Sequence, residues 1–107
     1  MSVTFKDFER LDIRVAKLVA VENIPGMKKI MKAKVDLGDR TVYTIMGGAE
    51  YYKPGDLQGK LVAAVTNLEP RTVAGVKSEC VLLAADDHGR PVWLTLTEDT
   101  SPGTKIR

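Results

Sequence analysis

Apolar and polar residues alternate along this chain with two different periods, and the changes of period mark its elements. Phe5, Phe8 and Leu11 recur every three residues, the spacing of one helical stripe. Thr4-Phe5-Lys6-Asp7 has the form of a capping box: the threonine hydroxyl accepts from a first-turn amide, and Asp7 sits where the helix dipole favours an acid. A short helix over about residues 5 to 10 is predicted. Its stripe reads as a face packed on the chain's own core, in preference to a subunit interface.

From Asp12 the period becomes two. Ile13, Val15, Val19 and Val21 share one face, Asp12, Arg14 and Glu22 the other, and Lys17 alone interrupts the apolar side, which predicts a long, curved strand. Ile24-Pro25-Gly26-Met27 is a turn. Alternation resumes with Ala33, Val35 and Leu37 against Lys32, Lys34 and Asp36, and Gly38-Asp39 makes a tight hairpin into Thr41 to Ile45. Gly47-Gly48 ends that strand, and Ala49 to Lys53 supplies one helical turn that Pro54-Gly55 stops. Leu61 to Thr66 and Val81 to Ala85 are near-continuous apolar runs, as in strands covered on both faces. Asn67 to Gly75 between them is polar and rich in turn formers. Asp86-Asp87-His88-Gly89 is a hairpin tip, after which Val92, Leu94 and Leu96 alternate with Trp93, Thr95 and Thr97 in a last strand. Trp93, out of phase with these neighbours, belongs on the outer face or between subunits, and the second placement protects an otherwise open edge. Five or six short strands with little helix predict an all-β, five-stranded Greek-key barrel of the OB-fold type.

Composition narrows the function. A chain of 107 residues is expected to form a single domain over residues 1–107. Sixteen Lys and Arg against fourteen Asp and Glu give +2, so any affinity for nucleic acid must come from a local patch. One cysteine and one histidine exclude a disulfide framework and the usual metal clusters, and no cofactor is expected. The N-terminus turns charged before a signal sequence could form, and no apolar run nears the ~20 residues that span a bilayer, so a cytoplasmic protein without membrane insertion is expected.

Catalysis finds little support. Cys80 borders the apolar run Val81-Leu82-Leu83, where a buried, inert thiol is usual, His88 lies at a hairpin tip among acids, and Ser78 has no evident base. Gly47-Gly48 lacks the Lys-Ser/Thr of a phosphate-binding loop. Local charge is more informative. Residues 28 to 40 carry Lys28, Lys29, Lys32, Lys34 and Arg40 against Asp36 and Asp39, and the period puts Lys28, Lys32, Lys34 and Arg40 opposite Ala33, Val35 and Leu37. The polar connection adds Asn67, Arg71 and Lys77 with Ser78, and barrels of this type bind oligonucleotides on this face and its loops. No ring lies within residues 28 to 40, which predicts recognition of RNA by shape and backbone more than by stacking.

Five segments in register, Asp12-Ile13-Arg14-Val15-Ala16-Lys17, Lys34-Val35-Asp36-Leu37-Gly38, Asn67-Leu68-Glu69-Pro70-Arg71, Gly75-Val76-Lys77-Ser78-Glu79 and Pro102-Gly103-Thr104-Lys105-Ile106, resemble the tRNA-binding domain family over essentially the whole chain. That family includes C-terminal extensions of methionyl-tRNA synthetases, free-standing dimeric tRNA-binding proteins and CsaA-type export chaperones. The resemblance implies a non-catalytic OB fold that forms a homodimer through N- and C-terminal elements, the latter a C-terminal dimerisation extension, and grips the outer corner of tRNA. It implies action either alone or in trans with a methionyl-tRNA synthetase, and contacts at Lys29, Asn67 and Ser78, to which the residue chemistry adds Arg71, Lys32 and Lys77. Cys80-Val81 stands where the tRNA binders carry Gly-Met, and Ala74 to Glu79 is close to the chaperone pattern. The alternative is therefore a chaperone holding unfolded preprotein, or the secretion ATPase, in the dimer groove.

Overall fold

The computed structural model describes residues 1–107. A short helix α1 (Phe5–Glu9) precedes β1 (Ile13–Asn23), β2 (Ile30–Asp36) and β3 (Thr41–Gly47). A one-turn helix α2 (Pro54–Leu57) leads into β4 (Leu61–Val65). The hairpin β5 (Arg71–Val73) and β6 (Val76–Ser78), then β7 (Val81–Leu82), the hairpin β8 (Ala84–Asp87) and β9 (Arg90–Trp93), and β10 (Lys105–Ile106) complete the chain.

The main sheet is antiparallel in the order β3-β2-β1-β4-β7, with β10 beside the start of β1. β7 returns to β3, where the Glu79 amide donates to the Tyr43 carbonyl at 3.0 Å and the buried Thr44 hydroxyl donates to the Cys80 carbonyl at 2.6 Å. Five strands thus form the nearly closed barrel expected of an OB fold. Its core is packed by Leu18, Met31, Val35, Leu37, Met46 and Val62.

Besides β10, β1 pairs β4 over Ile13 to Lys17 and β2 over Lys17 to Asn23, with the register against β2 slipping between Leu18 and Ala20. That bulge corrects the unbroken alternation read from the sequence. Before the slip Ala16 and Leu18 face the core, the extra residue Val19 is left 42% exposed, and beyond it the core face passes to Val21. β4 is covered on both faces: Val62 and Ala64 point into the barrel core, while Ala63 and Val65 are buried outside it. The C-terminal segment is stitched down by the Ala63 amide to the Leu94 carbonyl at 3.2 Å and the Gly103 amide to the Val15 carbonyl at 2.7 Å. Gly38 and Gly103, both at positive φ, meet backbone to backbone there. A Cβ on Gly103 would stand 2.5 Å from the Leu37 carbonyl oxygen.

Three further expectations are corrected. Thr4 caps α1 as read, accepting from the Asp7 amide at 3.1 Å, but the helix buries no residue and leaves Phe5 84%, Phe8 42% and Leu11 38% exposed. The stripe lies outside the core because five residues leave the helix as an appendage at the start of β1. The helical turn begins at Pro54 rather than stopping there, since a proline lacks only an amide that the first turn leaves free. In β9 the phase is inverted: Val92 and Leu94 are exposed, and Trp93 is half-buried against the barrel core, its indole nitrogen buried without a partner. The β8–β9 hairpin forms its own two-stranded sheet, whose register is set by a turn with His88 and Gly89 both at positive φ, so alternation alone does not say which face meets the barrel.

Candidate nucleic-acid interface

Alternation in β2 sends Met31, Ala33 and Val35 inward, so Lys32 and Lys34 stand on the outer face. β3 does the same with Val42, Thr44 and Met46, which leaves Tyr43 and Ile45 outside. The register sets Lys34 opposite Tyr43 and Lys32 opposite Ile45. The Lys32 ammonium consequently lies 4.5 Å above the Tyr43 ring while also 3.8 Å from Glu22. A ring therefore does stand in the basic face, although none lies within residues 28 to 40. Tyr43 lies three residues beyond Arg40, and the hairpin folds it back among the lysines. The signal was the alternation of Thr41, Tyr43 and Ile45, read onto the outer face of the partner strand.

The β5–β6 hairpin follows along β3. It sets Arg71 beside Ser78 and Thr72 beside Lys77, and Arg71 and Ser78 share the lining of one shallow pocket of about 260 Å³ with Glu69 and Glu79. Lys77 pairs with Glu79 at 3.3 Å, whereas Arg71 makes no ion pair. Ser78 is committed to the barrel seam. The one proton of the Thr44 hydroxyl goes to the Cys80 carbonyl, so the Ser78 hydroxyl donates across 3.1 Å to Thr44 or across 3.4 Å to the same carbonyl, and its oxygen receives the Ile45 amide at 3.4 Å. Burial pushes the neighbouring Cys80 thiol up to about 11, in keeping with an inert side chain.

Asn67 is committed as well. Its carboxamide accepts the Asp12 amide at 2.8 Å and donates to the Arg10 carbonyl at 2.6 Å, tying the start of the polar connection to the turn between α1 and β1. Asp12 is the hub of this knot, 2.9 Å from Arg14 Nε and 3.0 Å from Lys105 Nζ. Burial works against its charge, but the hydrogen bonds from Lys105 and Arg14 prevail and hold its carboxyl at about 2. Lys29 lies in the loop before Ile30, at the start of β2, a seven-residue strand about 20 Å long. Its carbonyl accepts the Ala49 amide at 3.2 Å, and it makes no ion pair. The fold thus unites Lys32, Lys34 and Tyr43 on one face, sets Arg71, Lys77 and Ser78 on an adjoining hairpin, and leaves Lys29 and Asn67 at the two ends.

No group of three or more histidine, cysteine or acidic side chains is arranged to hold a metal ion. No helix is long and apolar enough to cross a membrane.

Comparison with known proteins is consistent with this geometry. The chain is 45% identical to a methionine–tRNA ligase of Methanocaldococcus jannaschii over 100 residues, 92% of this chain and 15% of the ligase. It is 38% identical to that of Archaeoglobus fulgidus over 104 residues, 97% of this chain and 16% of the ligase. The chain therefore spans about a sixth of the length of these relatives. Among solved structures, the chaperone CsaA of Bacillus anthracis superposes with a TM-score of 0.90 at 30% identity, covering 100% of both chains. A MetRS-related protein of Pyrococcus horikoshii gives a TM-score of 0.90 at 25% identity, covering 100% of this chain and 99% of that one. Residues 13–105 match the family described as "Putative tRNA binding domain", and the chain belongs to that tRNA-binding domain family.

Proposed function

We propose that this chain is a non-catalytic, cytoplasmic tRNA-binding protein that works as a homodimer and delivers tRNA in trans to a methionyl-tRNA synthetase. The observation that carries this reading is the outer face of β2 and β3, where Lys32 and Lys34 frame Tyr43 beside the Arg71 and Lys77 hairpin. Ammonium groups at this spacing neutralise successive phosphates, and a half-exposed ring offers one stacking surface. Lys29 extends the cationic path toward the far end, and Arg71, which makes no ion pair, is available to a phosphate. Asn67 and Ser78 serve the same surface from behind, by fixing the loop and the hairpin that present Arg71 and Lys77. The exposed stripe of Phe5, Phe8 and Leu11, next to Ile106 at the chain's end, supports a homodimer joined through both termini.

The test is a titration with total tRNA at two salt concentrations. The reading expects affinity to fall steeply with salt, with Lys32→Ala lowering the slope by about one and weakening all tRNAs alike. Binding that is insensitive to salt would refute it. A second reading, a chaperone gripping unfolded preprotein or the secretion ATPase, is favoured by the likeness to CsaA and by the exposed Val92 and Leu94. Suppression of preprotein aggregation without any tRNA shift would establish that alternative.

A further inference from the structure

The sheet face and the polar hairpin leave one cationic cluster unused. Arg90, at the tip of the β8–β9 hairpin, has its guanidinium 5.9 Å from the Tyr51 ring and 5.5 Å from the Tyr52 ring. The two rings differ in role. Tyr52 is partly buried against the core and fixed through its hydroxyl, which donates to the Pro91 carbonyl at 2.8 Å. Tyr51 is 50% exposed and hydrogen-bonds through its backbone only, its amide donating to the Gly48 carbonyl at 2.9 Å. Arg90 itself is exposed and pairs with no carboxylate, for the nearby Asp87 is 3.0 Å from His88 and Asp86 accepts the Gly89 amide at 2.8 Å. A guanidinium held against one anchored ring, with a second ring open beside it, is a preorganised stacking platform carrying an unspent positive charge.

Its position gives the platform a ligand. Gly48, at positive φ, packs so tightly beneath Pro91 and Tyr52 that a Cβ there would lie 2.8 Å from the proline ring, so the β3–α2 turn and the β8–β9 hairpin are locked together. Beside the platform, between these elements and the loop before β2, runs a groove of about 470 Å³ whose lining includes Lys29 and Asp86 together with Glu50 and Gly89, the chain neighbours of Tyr51 and Arg90. This mixed lining suits no continuous run of phosphates, but its carboxylates accept the exocyclic amino group of a base.

Resting on the tRNA reading and extending it, we infer that Tyr51 and Arg90 form a second contact, which stacks one unpaired ribonucleotide while Arg90 meets its phosphate. Lys29 connects this contact to the sheet face, so the RNA footprint reaches round the end of the barrel. A paired helix does not satisfy the platform, because its bases are already stacked; an unstacked base in a loop or a single-stranded end does.

The test compares the full-length chain with Tyr51→Ala, Tyr51→Phe and Arg90→Ala on three probes: total tRNA, a blunt RNA duplex and a ten-residue oligoadenylate. Tyr51→Ala should weaken tRNA and oligoadenylate by about tenfold and leave the duplex unchanged, while Tyr51→Phe, which keeps the ring, binds as the parent does. Arg90→Ala should weaken tRNA and lower its salt slope by about one. If the parent binds tRNA and Tyr51→Ala binds it equally well, the inference is overturned and the tRNA reading stands. If the parent ignores tRNA but binds oligoadenylate through Tyr51, the platform stands and the tRNA reading falls. Failure to bind either probe overturns both. Unaltered thermal unfolding of Tyr51→Ala separates lost contact from lost fold, and should the alanine variant unfold, Arg90→Ala at an exposed position decides: tRNA affinity and salt slope equal to the parent's overturn the inference.

Discussion

Replacing Asp12 by asparagine removes the charge at the hub that ties α1, β1, the polar connection and β10 together. A carboxyl drawn from 3.8 to about 2 in the folded state corresponds to about 2 kcal/mol of stabilisation. Asp12 is 28% exposed and its partners Arg14 and Lys105 are 36% and 34% exposed, so solvent screening reduces this to about 1 kcal/mol. Because the folded state depresses the pKa, the contribution is complete above 3.8 and is lost as pH falls toward 2. The asparagine variant never has it. Urea unfolding of both proteins at one protein concentration should therefore give a gap of about 1 kcal/mol at pH 7, shrinking to about a third of that by pH 2.5. At pH 7 the same gap is a drop in Tm of about 4–8 °C for a chain of this size. A gap equally large at both pH values would show that the side chain acts by shape and neutral hydrogen bonding, and no gap at pH 7 would show that the ion pairs contribute nothing.

Three other outcomes are expected. Phe8→Asp, placed in the exposed stripe of α1, should convert a homodimer to monomers in sedimentation equilibrium while leaving the far-ultraviolet spectrum unchanged, and a parent chain that is already monomeric at micromolar concentration would remove the homodimer from the proposal. Gly103→Ala forces a Cβ against the Leu37 carbonyl at positive φ and should cost about 2 kcal/mol or more in chemical denaturation, well beyond an alanine at Gly59, whose Cβ meets nothing within 4 Å. The Cys80 thiol, buried and raised to about 11, should react with a disulfide reagent at pH 8 only as fast as the barrel opens, and rapid labelling of the folded protein would place it on the surface.

Period and turn chemistry carried the local decisions. The lysines of β2 fall opposite Ala33 and Val35 because a pleated strand alternates its faces, and Gly38-Asp39 can only turn, so the basic face and the hairpin were both readable. The buried pair of faces on β4 was readable from its unbroken apolar run. The same residues did not disclose their partners. A one-residue bulge in β1 passed the core face from Ala16 and Leu18 to Val21 and left Val19 outside, and alternation carries no mark of where a strand slips against its neighbour. Trp93 and the stripe of α1 were misplaced for a related reason: an apolar face says that something covers it, not which element does.

The candidate site divides along the same line. Charge and spacing in the sequence selected Lys32, Arg71 and Lys77, and resemblance selected Lys29, Asn67 and Ser78. Cross-strand register brought Tyr43 under Lys32, and hydrogen bonds between residues more than thirty positions apart committed Ser78 to the seam and Asn67 to the α1–β1 turn. The sequence by itself determined which residues could lie on one face of one strand, because that depends on the pleat alone. Only the tertiary structure decided which faces meet, since pairing across a barrel is set by the summed packing of all its strands and by no single local pattern.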